Sequence, residues 1–415
     1  GATHVVGLRG EAVGWREGGG WRVETPALRI DGEGYGADLR GGLWFEGDGT
    51  KPRIDIAAHL DNAAAPVAKR FWTRHTMSQS LITWLNTALI AGQVRNGRAV
   101  IAGDLDDWPF KQVAGATPKG VFDARAMLQD MRVKFNKDWP ATSDMDAEIA
   151  FIGNGLSVGG RAVLADVGIR EFQSGIADFA QGSLTIDART DADAAKLLGL
   201  VRQSPLQKQH ASVLATLSAS GPAAVDFALD LPLHSGPSQR PRISGNIDLR
   251  DVRLAESEWK LAFNGVNGRA SYNQDGFSAN GLRALYDRQE GTLSLRAGPG
   301  HVRDKRQGFE AELEASMTTD DLLDRSSNLA WLKPYVSGRS RWVAGIAIPV
   351  GVNARAAANA SSAPASSTLA ASASAKAPVA TQVTRLQLRS DLAGTTLDLP
   401  APMDKAAGTV LPTTI

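Results

Sequence analysis

The chain contains no cysteine, so no disulfide framework holds it together. Disulfide-free proteins occur on both sides of a membrane, and the absence leaves the compartment open. Charge of one sign is also lacking: 45 Lys+Arg stand against 44 Asp+Glu, a net charge of +1. That balance argues against nucleic acid as a partner, because nucleic-acid binders carry a basic excess. No apolar run reaches about 18 residues, so no segment reads as a membrane-spanning helix. No signal-peptide pattern opens the chain. The six histidines (His4, His59, His75, His210, His234 and His301) are scattered without the spacing of a zinc site, and there is no P-loop or complete G-x-G-x-x-G.

What remains is a chain of 415 residues, 43% hydrophobic, in which 43 glycines fall at turn spacing between short alternating runs. That length and apolar content suffice for a large core. In "RIDIAAHL" (53–60), Ile54, Ile56, Ala58 and Leu60 share one parity. Val225, Phe227, Leu229 and Leu231 do the same, as do Leu184 and Ile186. Period-two alternation marks strands with one apolar and one polar face, and short turns make the antiparallel sheet their natural setting. About 20 strands are expected on this pattern.

Helical periodicity is sparse. Leu81, Trp84, Leu85, Ala88 and Leu89 recur at three- and four-residue steps and predict a helix over about 77–91, with Gly92 where it would stop. "DADAAKLLGLVR" predicts a second over 191–202, with acids at its start and Arg202 near its end. A third, weaker pattern covers about 320–332. Between 354 and 378, twelve Ala and six Ser fill 18 of 25 positions, the composition of a flexible low-complexity segment.

The chain repeats itself. "LQDMRV" (128–133) matches "LRDVRL" (249–254), and "GLSVGG" (155–160) matches "GFSANG" (276–281), both 121 residues apart. In the first copy the apolar parity is even at Phe122, Ala124, Ala126 and Leu128, then odd at Met131, Val133 and Phe135. In the second it is odd at Ile243, Ile247 and Leu249, then even at Val252 and Leu254. One inserted residue per strand, a β-bulge, restores an apolar face after such a slip and bends the sheet. The expected organisation is a strand segment over 1–63, a helical insertion over 64–91, and a first β-repeat over 92–231. A second repeat follows over 232–353, then the Ala/Ser-rich segment over 354–380 and strands opening another unit over 381–415.

No catalytic constellation stands out, and no catalytic residue, metal ligand or cofactor is assigned. "GLSVG" fits the nucleophile pattern G-x-S-x-G, but that motif requires a helix after the turn and the sequence that follows reads as strand. "DLDDW" (104–108) groups three carboxylates without the spacing of a calcium loop. Asn359-Ala-Ser is a glycosylation sequon inside the Ala/Ser-rich segment.

Three segments do resemble a family. "LITWLNTALIAGQVRNGRAVIAGDLDDWPF" (81–110), "YVSGRSRWVAGIAIP" (335–349) and "LRSDLAGTTLDLPAPMDKAAG" (387–407) are similar to blocks of the AsmA-like, YhdP-type proteins of Gram-negative bacteria. The resemblance implies a periplasmic protein, held in the inner membrane by an N-terminal helix, that carries phospholipid to the outer membrane along a hydrophobic groove in a long twisted β-sheet. The present chain, beginning at Gly1 and lacking such a helix, is then expected to be an interior segment. Its partners would be phospholipid acyl chains and, through other parts of a longer protein, the two membranes; protein partners are not indicated.

The fold class expected is therefore mainly β: a long, curved antiparallel sheet forming an apolar groove, with a few short amphipathic helices. Helices are too few to cover so many apolar strand faces, and a lipid tail can supply the cover. The expected groove-facing residues are Ile54, Ile56, Leu60, Phe122, Leu128, Met131, Val133, Phe135, Ile149, Phe151, Leu184, Ile186, Val225, Phe227, Leu229, Ile243, Ile247, Leu249, Val252 and Leu254. Two other readings compete: a periplasmic β-scaffold assisting outer-membrane assembly, and a carbohydrate-binding β-protein using some of the ten Trp residues as platforms.

Overall fold

The computed structural model describes residues 6–71, 79–110, 117–180, 182–204, 214–233, 241–257, 260–323, 327–350 and 385–414. The Ala/Ser-rich segment lies outside these residues. The described chain is mainly β, with its strands in one large open antiparallel sheet of 22 strands. The first strands are β1 (Val6–Glu17), β2 (Gly20–Gly32), β3 (Tyr35–Phe45), β4 (Arg53–Leu60) and β5 (Ala63–Ala64). Then come β6 (Leu89–Asp104), β7 (Gly120–Val133), β8 (Thr142–Ile152), β9 (Gly155–Leu164), β10 (Val167–Ile176) and β11 (Ser183–Asp193). The series continues with β12 (Leu217–Ser220), β13 (Pro222–Pro232), β14 (Arg242–Glu256), β15 (Leu261–Asn273), β16 (Gly276–Tyr286), β17 (Gln289–Ala297), β18 (Gln307–Thr318) and β19 (Val336–Pro349). The short strands β20 (Arg385–Ser390), β21 (Thr395–Leu397) and β22 (Thr413–Thr414) end it.

Helical segments interrupt the strands. A 3-10 segment (Ala65–Arg70) and helix α1 (Gln79–Ala88) lie between β5 and β6; α2 (Ala194–Arg202) follows β11; α3 (Thr319–Leu323) and a 3-10 segment (Ser327–Tyr335) separate β18 from β19. The helix expected over 77–91 is thus found over 79–88, and Leu89 already belongs to the following strand. The stretch expected as one helix over 320–332 divides into a short α turn and a 3-10 segment that contains Pro334, whose ring does not fit an α-helix interior. Among the described residues no helix is long and apolar enough to cross a membrane.

The chain resolves into two compact units. The first comprises residues 1–192, 199–205 and 226–243; the second comprises 193–198, 206–225 and 244–415. Each has its own buried cluster. In the first unit Ala65, Leu128, Met131, Met145, Ala147 and Ala162 pack together. In the second, Val252, Val266, Leu282, Leu293, Leu313 and Trp342 form the centre.

The bulges inferred from the parity switch are present. β7 shifts register against β8 between Leu128 and Met131, and β14 shifts against β15 between Leu249 and Val252. The inserted residues, Asp130 and Asp251, adopt positive φ (50° and 54°). A side chain on the neighbouring strand holds each: Asp146 Oδ1 accepts from the Asp130 N–H at 3.1 Å, and Asn267 Oδ1 accepts from the Asp251 N–H at 3.0 Å. All four positions keep the 121-residue step of the sequence repeat. The neighbouring strands carry a second matched irregularity, between Ser143 and Asp146 in β8 and between Asn264 and Asn267 in β15. The repeat is therefore one of strand geometry as well as of sequence.

Candidate functional site

Directly paired residues in an antiparallel sheet point to the same face, so strand register defines a surface residue by residue. In the first unit one row runs Leu28–Leu39–Ala58–Ala99–Ala124–Phe151–Leu156–Ile176–Leu184. It crosses nine strands, β2 to β4 and β6 to β11, without a polar member. At about 4.8 Å per strand the row is on the order of 38 Å long. Every one of its side chains is half-buried, neither sealed in a core nor fully in solvent.

The neighbouring rows carry most of the expected groove residues in this unit. Towards the turn that closes β6 and β7 lie Ile56–Ile101–Phe122, then Leu43–Ile54–Gly103–Gly120. In the other direction lie Ala126–Ile149–Val158–Ser174–Ile186, then Leu128–Ala147–Gly160–Phe172–Ala188, then the Met131–Met145 pair. Leu60 pairs with Ala37 and Gly97 on this same side of β4, and Val133 opposes Leu89. Burial rises along the strands. Phe122, Phe151 and Ile149 are half-buried, whereas Leu128 is 8% exposed and Met131 2%.

The second unit repeats the pattern. Ile247–Ala270–Ala279–Leu295–Ala311–Ile346–Leu386 form a row over β14 to β20. Its first four members stand 121 residues after Ala126, Ile149, Val158 and Ser174. Beside it, Tyr272–Phe277–Ala297–Phe309–Ile348 are half-buried. Ile247, Leu249 and Leu254 pack against the core of this unit and Val252 is fully enclosed in it. Val133 and Ile149 likewise pack against the first core. Val225, Phe227 and Leu229 on β13 and Ile243 on β14 are half-buried. Phe135 lies beyond the end of β7; its ring meets Trp139 at 6.1 Å and its carbonyl accepts the Trp84 indole N–H at 2.8 Å, which fastens α1 to the sheet.

The opposite face of the first unit is ionic. Arg125 donates twice to Asp123 along β7, at 2.8 and 3.0 Å. Arg161 on β9 meets Asp146 on β8 at 2.7 Å. Arg29 gathers Asp61, Asp31 and Asp38 within 2.9 Å. The guanidinium hydrogen bonds hold the carboxyls of Asp123, Asp146 and Asp61 below their ordinary range. Asp38, His59 and Asp61 bring three potential ligand atoms within 4.8 Å, but Arg29 already bonds both carboxylates. This face is solvated, so the apolar face is the one that needs a cover.

Leu28, Leu39, Ala99, Ala124, Leu156 and Ile176 were not among the residues expected from sequence. Small Ala and Gly neighbours dilute their alternation, and their membership depends on cross-strand register, which periodicity does not encode. The paired alternation of Leu156 and Val158 in "GLSVGG" was the available signal.

The three family-like segments have structural roles. In the first, α1 leads into β6, and after Trp108, joined to Pro109 by a cis peptide, the Phe110 ring packs against Gly103 and Gly120. A Cβ at either glycine would stand under 3.0 Å from that ring. The other two pair with each other: Val336, Ser337 and Gly338 oppose Leu397, Thr396 and Thr395, and Thr395 Oγ1 bonds Ser340 Oγ at 3.0 Å. Buried Lys405 closes this corner, its ammonium donating to the carbonyls of Leu392 (2.8 Å), Thr395 (2.6 Å) and Ala406 (3.2 Å).

No solved structure matches the chain. A protein named "Intermembrane phospholipid transporter YhdP", from Escherichia coli (strain K12), is 22% identical over 276 residues, which cover 65% of this chain and 21% of that protein. The chain therefore spans about a fifth of the length of that relative. The family described as "YhdP protein" matches residues 3–415. With nearly its whole length matched, the chain belongs to the YhdP family.

Proposed function

We propose that this segment holds phospholipid acyl chains against the apolar face of its sheet and lets them pass along it, as part of a longer envelope protein that carries lipid between two membranes. The observation that carries the reading is the nine-strand row: continuous, free of polar side chains and half-buried throughout. A closed core would have hidden these residues, and a solvated face would have carried charge, as the opposite face does. The relative's name supports phospholipid as cargo, and on this reading the protein resides in the periplasm and is held in the inner membrane by a helix outside this chain.

The energetics need no catalyst. Each buried CH₂ is worth about 0.8 kcal/mol, so a sixteen-carbon chain gains roughly 12 kcal/mol over water, as an upper estimate. It gives up a similar amount on leaving a bilayer. A face about as apolar as the bilayer makes the transfer close to neutral, and neighbouring sites along the row are near-equivalent. No residue need bond to the lipid, and the segment's role is conduction rather than chemistry.

The test is a photo-crosslinking residue placed at Ile176 or Leu156 in cells, followed by lipid extraction and mass spectrometry of the adduct. Phospholipid adducts at these positions, and none at Val121 on the opposite face, are expected. Crosslinks to protein alone at Ile176 and Leu156 would replace the transport reading with that of an assembly scaffold.

A further inference from the structure

The apolar face of the first unit is not the same at its two edges, and the difference orients a bound lipid. At one edge, where β6 turns towards β7, three large aromatic side chains stand in solvent: Trp21 (52% exposed), Phe45 (43%) and Trp108 (45%). They share the apolar face. Trp21 pairs with Phe45, two residues along from the Val23–Leu43 pair. Trp108 stacks edge-on against Phe122, with ring centroids 5.2 Å apart. Arg16 adds a cation there, its guanidinium 5.8 Å from the Trp21 ring. At the other edge, beyond the bulges, β7 and β8 run into Leu128, Met131 and Met145, which are buried together with Ala65 of the 3-10 segment. One edge is an aromatic rim carrying Arg16 together with the Lys119–Asp107 and Lys51–Asp106 ion pairs; the other is a sealed apolar end.

Exposed aromatic side chains with a polar handle favour the boundary between hydrocarbon and water, where lipid esters and phosphates lie. A sealed end lined by Leu and Met accepts a terminal methyl and offers nothing to a phosphate. The distance fits. From Phe122 to Leu128 is six residues, about 20 Å of strand. One leaflet of a bilayer gives its tails about 15 Å. A tail laid along a strand therefore fits between rim and sealed end.

Resting on the function proposed above, we propose that phospholipids lie across the sheet of the first unit with their acyl chains parallel to the strands. Their phosphate and ester ends sit at the Trp21–Phe45–Trp108 rim and their methyl ends at the Leu128–Met131–Met145 end. Movement along the row is then sideways for each molecule, so that headgroups slide along one edge and never cross the apolar face.

The absence of cysteine allows a direct test, because any introduced thiol is unique. Leu184 and Ala188 lie on one strand, the first nearer the rim and the second in the Leu128 row. L184C and A188C are labelled with bimane, and the protein is loaded with phosphatidylcholine carrying a nitroxide at carbon 5 or at carbon 16 of the acyl chain. L43C and A37C, both at half-buried positions of β3, form a second pair in case the first disturbs folding. The carbon-5 nitroxide is expected to quench the rim label at least twofold more than the carbon-16 nitroxide does, and the order is expected to reverse at the inner label. Equal quenching at both positions, or the opposite order, would overturn the orientation while leaving lipid binding intact. No quenching by either lipid at any of the four positions would overturn lipid binding itself.

Discussion

Ala124 is the centre of the nine-strand row, flanked by Ala99 on β6 and Phe151 on β8. Replacing it with Asp places a carboxylate in the middle of the proposed path. An acidic side chain at the centre of a membrane costs about 2.5–3.5 kcal/mol on insertion scales. At 1.4 kcal/mol per factor of ten, that cost lowers occupancy of the path by about 100-fold. The lipid-free fold should tolerate the change, because Ala124 is half-buried and the new carboxylate can keep part of its hydration. The matched control is Val121→Asp, three residues away on the ionic face, where the native side chain is 49% exposed. Lipid co-purifying with each variant is measured by extraction and mass spectrometry, with far-UV circular dichroism to verify the fold. A124D is expected to lose nearly all bound phospholipid and V121D to keep it. Normal lipid content in a folded A124D protein would refute the claim that this row is the path, and equal loss in both variants would refute its assignment to one face.

Other consequences concern the scaffold. Lys405→Met strips three carbonyls of a buried charged donor and should lower unfolding free energy by about 3 kcal/mol in urea titrations; a shift under 1 kcal/mol would show that water replaces the ammonium. Asp146→Ala should cost about 1–2 kcal/mol and remove hydrogen-exchange protection from the Asp130 amide. Asp146→Asn should retain most of both, since Asn267 does the same work in the second copy with a neutral amide. The carboxyls of Asp31, Asp61, Asp123, Asp146 and Asp248 are held below their usual 3.8 by guanidinium hydrogen bonds. Depressed folded values stabilise the protein above the unfolded pKa, and that stability is lost as pH falls through the folded values. The urea midpoint should therefore be flat from neutral pH to about 5 and fall below 4. Asp304, bonded by the Arg306 side chain and backbone, should titrate near 2 when followed by NMR, and a midpoint near 4 would contradict that turn.

Strand identity was legible because alternation is a local signal: Ile54, Ile56 and Leu60 on β4 stand out against Arg53, Asp55 and His59. The bulges were legible for the same reason, since one parity switch in each repeat marks Asp130 and Asp251. Which strand faces which, and at what register, was not. Leu128, Met131 and Val252 alternate as Phe151 does, yet the first three are buried and Phe151 is half-buried. Periodicity reports which side a residue points to; whether that side is covered depends on elements distant in sequence. For the first core, these include Ala65 of the 3-10 segment. Val133 and Leu254 fit the groove pattern in sequence, but both pack against buried clusters. A charge there would measure core stability rather than lipid passage, which is why Ala124 is the better probe.

The segments that stand out in the sequence lend Ala99 and Ile346 to the apolar rows, but the residues that make them distinctive are not the ones that would carry lipid. Trp-Pro-Phe fixes a turn over two glycines, and Lys405 and Thr395 fix a corner. These arrangements depend on particular atoms: a ring that fits only where Cβ is absent, an ammonium with three carbonyls to satisfy. They leave a recognisable pattern. The apolar row depends on no particular atom. Leu, Ile, Ala and Phe serve it interchangeably, provided that parity and register keep them on one side. A conducting surface built this way has to be close to uniform, because a site that held one lipid several kcal/mol more tightly than its neighbours would trap it. It follows that substitutions within the row that preserve apolar character, such as Ile176→Leu, should leave lipid content unchanged, while the bulge residues that keep the row in phase should be far less tolerant. Replacing Asp130 with Val, whose β-branched side chain resists a φ of 50°, would press β7 into strict alternation and turn Met131 and Val133 to the ionic face. The first core would lose Met131, one of its most enclosed side chains at 2% exposure. The substitution is expected to destabilise the first unit, as read by loss of hydrogen-exchange protection in β7 and β8, and retention of that protection would show that the phase of the sheet is held elsewhere.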